Sequence, residues 1–162
     1  MKFKDVSRSG GYIKQAEHKQ YIFKIYDKGL QYNLPEERIR IELKFTRMEK
    51  LNKIGIHTLS DLKNCATFKP LKELLQSEWK LLLLYEPPLL SDSLPLIVKN
   101  KKQFQWKDFD YWINLTKQER NRQRKKYLEY VETHTSNLHQ QIANKINYKF
   151  NHLIRNDYQL TV

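Results

Sequence analysis

FKIYDKGLQYNLPEERIRIELKF, residues 23–45, decides how the chain folds. Its second half alternates strictly: Ile39, Ile41, Leu43 and Phe45 fall on one side of an extended chain, and Arg38, Arg40, Glu42 and Lys44 on the other. The first half, begun just upstream, does the same, with Tyr21, Phe23 and Ile25 opposite Lys24 and Tyr26. β-Branched and aromatic residues at period two mark half-buried strands. Asp27-Lys28-Gly29 closes the first strand, and Asn33-Leu34-Pro35 lies in the connection. The spacing predicts a hairpin over 20–47 with Ile39, Ile41, Leu43 and Phe45 in the core.

Two strands alone are only marginally stable in water, so others or helices must cover them. Residues 1–19 are polar and basic, with Gly10-Gly11 as a turn and Tyr12-Ile13 as the start of a further short strand. Downstream, Met48 to Ile54 reads as a short helix closed by Gly55. Thr58-Leu59-Ser60-Asp61-Leu62 is a second helix start. Phe68 to Tyr85 reads as a strongly apolar helix stopped by Pro87-Pro88. Residues 86–107 carry no clear period and include Pro95, Lys99, Lys101 and Lys102. Asp108 to Leu115 opens the last helical section, and Thr116 with Glu119 forms a capping box for a long helix from Lys117. Thr135-Ser136-Asn137 breaks that helix, and another runs from Leu138 to Ile154. Strands come first and helices after, which defines an α+β fold: a small antiparallel sheet covered by helices and followed by a helical C-terminal region. The expected organisation is an α+β domain over 1–86, an irregular connector over 87–107, and a basic helical region over 108–162.

A chain of 162 residues can build a real core but not two large domains. Thirty Lys and Arg against eighteen Asp and Glu leave a net charge of +12. Residues 1–81 hold seventeen basic and ten acidic side chains, and residues 82–162 hold thirteen and eight, so the charge is spread and not confined to a tail. A broad cationic surface suits polyanionic partners, nucleic acid first. The lone Cys65 excludes an internal disulfide framework and a cysteine-based zinc site, and fits a reducing compartment. No stretch has signal-peptide character, and the longest apolar run, Leu81 to Tyr85, is too short to span a bilayer. A cytoplasmic protein with no membrane partner is the expectation.

The five histidines, His18, His57, His134, His139 and His152, form no His-x-His or His-Glu-x-x-His pair. There is no glycine-rich phosphate loop and no serine elbow. The densest cationic run is Lys117 to Lys126, in which Arg120, Arg122, Arg124, Lys125 and Lys126 are offset only by Glu119. Such side chains neutralise phosphates and release counterions. Trp106, Tyr111, Trp112 and Tyr127 nearby either stack on unpaired bases or pack as core. Tyr127 and Tyr130 lie one turn apart beside these cations, where positive charge favours a phenolate nucleophile. The same two tyrosines join Val131, Leu138, Ile142, Ile146, Phe150 and Leu153 in an apolar stripe. On the hairpin, Lys24 and Tyr26 share a face with Arg40, Glu42 and Lys44. That face is either an ordinary solvated sheet surface or a phosphate-contacting one in which Glu42 orients a base or binds Mg²⁺ or Mn²⁺.

Tyr26-Asp27-Lys28-Gly29, Arg40-Ile41-Glu42-Leu43-Lys44, Met48-Glu49-x-Leu51 and Gly55-Ile56-x-Thr58-Leu59-x-Asp61-Leu62 resemble replication initiators of phages and plasmids, of the filamentous-phage gene II and gene X type. Trp112, the Arg/Lys-rich helix and Asn137-Leu138 followed by Ile142 resemble their C-terminal parts. The likeness covers roughly residues 12–65 well and the rest loosely. In that family a tyrosine attacks a phosphate of the replication origin, and a metal on a His-hydrophobe-His motif polarises it. This chain lacks the paired histidines. The resemblance therefore implies a DNA-binding, replication-associated protein like the C-terminal portion of a rolling-circle initiator, not a complete nickase. It implies Lys24, Lys28, Arg40 and Lys44, with Arg120 to Lys126, as DNA contacts. Tyr26, Asp27, Lys28 and Glu42 would be remnants or supports of an active site. An active nickase using Tyr26, Tyr127 or Tyr130 with a carboxylate-held metal is one alternative, and a helical protein-interaction module with no nucleic-acid role, suggested by the apolar stripe from Tyr130 to Ile154, is another. A full-length initiator, or a second copy docked through the C-terminal helices, is a further expected partner.

Overall fold

A computed structural model describes residues 3–6, 13–87 and 105–155. In it the hairpin lies within a four-stranded antiparallel sheet of order β1-β2-β3-β4. The strands are β1 (Lys4–Asp5), β2 (Ile13–Glu17), β3 (Tyr21–Asp27) and β4 (Ile39–Phe45). The α+β class is as the alternation requires. Two strands precede the hairpin, whereas the residue pattern signals only one. The Gly10-Gly11 turn lies outside the described residues.

Register follows the pleat. Tyr21 faces Phe45, Phe23 faces Leu43 and Ile25 faces Ile41, so these side chains share one side of the sheet. Ala16 pairs with Phe23 and joins that side. Tyr21, Phe23, Ala16, Ile56, Leu75 and Trp79 are buried, with Phe3 edge-on to Phe23. Ile39 departs from the expected core: it stands 63 % exposed. It pairs with Asp27 at the very end of the ladder, where the sheet gives way to the connection.

Tyr26-Asp27-Lys28-Gly29 builds that connection. The Asp27 carboxylate accepts the Leu30 N–H at 3.0 Å and caps a single helical turn, α1 (Lys28–Gln31). The same oxygen lies 3.4 Å from the Arg38 amide nitrogen, drawing the returning chain to its start. Gly29 is buried, and a Cβ there would collide with the Glu36 carbonyl oxygen. Glycine is required by close approach at this point.

After β4, α2 (Met48–Asn52) ends in a turn whose Gly55 takes φ +84°. Thr58 and Asp61 do start a helical segment, but a 3-10 one, Leu59–Lys63, followed by Cys65–Thr67. Helix α3 runs Phe68–Leu81 and stops before the expected Tyr85. Proline does not end it; Leu82 turns extended (ψ 136°), and Leu84 and Glu86 bind Tyr127 instead. The remaining helices are α4 (Phe109–Asn114), α5 (Lys117–His134) and α6 (Leu138–Arg155). The Thr116–Glu119 capping box is formed, and Asn137 breaks the chain at φ 50°. No helix among the described residues is long and apolar enough to cross a membrane.

Contacts divide the chain into two compact units. One runs to Leu82 and takes in the segment from Ile146; the other is Leu83–Lys145. The first holds the sheet and α3, with the Lys72 ammonium donating to Asn151 Oδ1 at 2.8 Å. The second is centred on buried Trp106, Tyr127 and Val131, with Leu83, Tyr111, Trp112 and Tyr130 packed around them.

Candidate nucleic-acid interface

The polar side of the sheet brings Lys24, Tyr26, Arg40, Glu42 and Lys44 onto one face, as the alternation predicts. Glu42 is the hub. Its carboxylate accepts the Tyr26 hydroxyl at 3.1 Å, lies 3.3 Å from Arg40 Nε, and lies 3.7 Å from Lys24 Nζ. Lys24 and Glu42 are largely covered, their side chains 21 % and 28 % exposed. Two of the face's cations are thus already neutralised, and Lys44 is the exposed cation without an ion pair among the described residues.

Burial first, then the charge and hydrogen bond of Glu42, raise the Tyr26 phenol above its ordinary pKa, against the pull of Arg40. That is the wrong direction for a nucleophile. Lys24 and Arg40 flank the Glu42 carboxylate, and their charge opposes a divalent cation there. Among the described residues no group of three His, Cys, Asp or Glu side chains could hold a metal. Asp27 caps α1, and Lys28 sits 5.4 Å from the Tyr32 ring centroid. Of the motif Tyr26-Asp27-Lys28-Gly29, Asp27 and Gly29 serve the chain's own turn.

The basic helix α5 separates its cations by role. Arg120 turns back and donates to the carbonyls of Trp112, Ile113 and Leu115 at 2.9–3.2 Å. It satisfies the orphan acceptors at the end of α4, which a helix terminus always leaves. Arg122, Lys125 and Lys126 project from the exposed side. Among the described residues no carboxylate lies within ion-pair distance of these three. Arg124 is half-buried.

The aromatic residues beside this helix are core. Trp106 stacks edge-on to Tyr127 at 5.4 Å, and the Trp112 indole N–H donates to the Trp106 carbonyl at 2.8 Å. Tyr127 is 3 % exposed. Its hydroxyl donates to Leu84 O at 2.6 Å and accepts the Glu86 N–H at 3.0 Å. Burial foremost pushes its pKa up to about 12. Tyr130 is half-buried against Trp106 and His134.

Two buried carboxylates escape a sequence reading altogether. Glu86, 2 % exposed, accepts the backbone N–H groups of Leu138 and His139 at 2.7 and 2.8 Å and the Thr135 hydroxyl at 3.0 Å. It caps α6 from fifty residues away in the chain, where negative charge meets the positive end of the helix. Glu78, 5 % exposed, accepts the Tyr21 hydroxyl at 2.5 Å. Its other oxygen lies 3.1 Å from His18 Nε2, off the line a hydrogen bond needs. Only the placement of Glu78 on the apolar face of α3 could have signalled this.

No family model matches the chain, no curated protein matches it, and no solved structure matches it.

Proposed function

We propose that this chain is a DNA-binding, replication-associated protein, similar to the C-terminal part of a rolling-circle replication initiator, that works by binding and not by cutting. The carrying observation is the exposed side of α5, where Arg122, Lys125 and Lys126 have no carboxylate within ion-pair distance among the described residues. Unpaired cations at an exposed helix surface release counterions on meeting phosphates, so they supply affinity without sequence reading. The dispersed +12 charge supports the same reading. So does the motif likeness around Tyr26 and Glu42.

Binding is favoured over cleavage by the tyrosines themselves. Tyr26 carries a raised pKa beside Glu42, and Tyr127 is buried with its hydroxyl doubly bonded. Neither is poised as a phenolate.

The test is a salt titration of binding to single- and double-stranded oligonucleotides. The wild-type chain binds at low salt, and affinity falls as salt rises. Lys125→Ala with Lys126→Ala lowers the slope of log K against log salt by roughly 1.5, the loss of two phosphate contacts. No detectable binding at low salt would end this reading. A covalent protein–DNA adduct with Mn²⁺ would replace it with a nickase.

A further inference from the structure

Helix α6 differs from α5 in holding cations and no carboxylate at all. Its eighteen residues, Leu138–Arg155, include Lys145 and Lys149 and no Asp or Glu. Both lysines are exposed, and among the described residues no carboxylate lies within ion-pair distance of either. Ile146, Phe150 and Ile154, four apart, are half-buried and mark the inward side of the helix. Tyr148 falls on the far side from them and stands 67 % exposed. One turn on, the His152 ring lies parallel to it, with 5° between the planes and 6.2 Å between centroids.

On a helix surface the neighbours of Tyr148 are the residues three and four positions away. These are Asn144, Lys145, Asn151 and His152, and none is apolar. On this helix the ring is therefore no part of an apolar patch of the kind that protein partners cover. Tyr32 makes the contrast. It is 61 % exposed, but Lys28 already lies 5.4 Å from its ring centroid, and its connection carries Glu36 and Glu37. Tyr148 instead protrudes beside cations that no carboxylate offsets. Such a ring gives a base a face to stack on, and it needs no particular base because every base has a π-face. In a duplex those faces are taken up by neighbouring bases, so only an unpaired strand has them to offer.

We propose that the outward side of α6 is a single-strand subsite, on which an unpaired DNA base stacks on Tyr148 while Lys145 and Lys149 meet the phosphates beside it. This deepens the DNA-binding reading and rests on it. The cations of α5 serve either form of DNA, and Tyr148 adds a preference for the single strand.

The test measures fluorescence anisotropy of labelled oligothymidine and of a duplex of the same length, at low salt, with the full chain. Tyr148→Ala weakens single-strand binding roughly tenfold and duplex binding less than about twofold. Tyr148→Phe keeps the ring and keeps the affinity. Lys149→Ala lowers the salt slope for the single strand by roughly 0.7, one phosphate contact. Circular dichroism on each variant separates loss of binding from loss of fold. A strand carrying 5-iodouracil cross-links on irradiation to Tyr148, located by mass spectrometry of the peptides. Unchanged single-strand affinity in Tyr148→Ala, or an equal loss for strand and duplex, overturns this subsite and leaves the DNA-binding reading standing. A wild-type chain that binds neither form at low salt overturns both.

Discussion

Among the described residues each unit buries one glutamate, and the two are held by different means. In the sheet unit, Glu78 is held by one side chain, the Tyr21 hydroxyl on one oxygen, while its other oxygen lies 3.1 Å from His18 Nε2 without a hydrogen bond. In the helical unit, Glu86 is held chiefly by backbone, the first N–H groups of α6, with Thr135 adding a hydroxyl. A side-chain partner can be replaced by another shape, but a helix terminus leaves its N–H groups orphaned whenever the cap is lost. The surfaces differ in parallel. The sheet's polar face neutralises Lys24 and Arg40 internally through Glu42, whereas α5 leaves Lys125 and Lys126 unpaired among the described residues.

Breaking the backbone-held glutamate has the largest effect. Glu86→Ala strands two amide donors, while the Thr135 hydroxyl keeps the Val131 carbonyl at 2.7 Å, and it costs about 3 kcal/mol. Hydrogen exchange then shows protection lost at the start of α6 and around Tyr127, while Tyr21–Phe45 stays protected. Tyr21→Phe removes the one good donor to Glu78 and costs about 2 kcal/mol, with the opposite exchange pattern.

A smaller effect touches both units through pH. Burial, reinforced by Glu78, raises the Tyr21 phenol, and burial raises that of Tyr127 to about 12. Both remain protonated in the folded chain past pH 10, where tyrosine ionises in the unfolded one. Stability is therefore level below about pH 10 and falls as pH rises from there toward 12. Urea melts at stepped alkaline pH read this. Tyr127→Phe flattens the fall by the share of one phenol, and a fall that begins well below pH 10 would contradict the assignment.

The smallest effect sharpens the contrast of surfaces. Lys24→Ala changes DNA affinity less than Lys125→Ala does, because Glu42 already offsets part of its charge. The same fluorescence titration run on both variants ranks them, and the reverse order would move the interface to the sheet.

Much of this architecture can be read from local chemistry. The alternation of Ile39 to Phe45 needs no partner to be recognised, since a period of two has one meaning for a pleated chain. The Thr116–Glu119 box, Gly55 and the break at Asn137 are legible for the same reason: each is a backbone requirement met within a few residues. The candidate surface was legible only as a list of cations. Arg120 is indistinguishable from Arg122 in the sequence, yet one caps α4 and the other faces solvent. Asp27, which suits an active site by its neighbours, is fixed by the turn it caps.

By itself, then, the sequence determined the hairpin strands, the helix starts, the α+β order and the excess of positive charge, because these rest on periodicity, capping and composition. The tertiary structure alone decided that α3 ends at Leu81, that Ile39 lies outside the core, and that Glu78 and Glu86 are buried. It also decided which cations remain unpaired. Each of those outcomes depends on a group far away in the chain, as Tyr127 is from Leu84 and Leu138 from Glu86, and no local pattern records a distant partner.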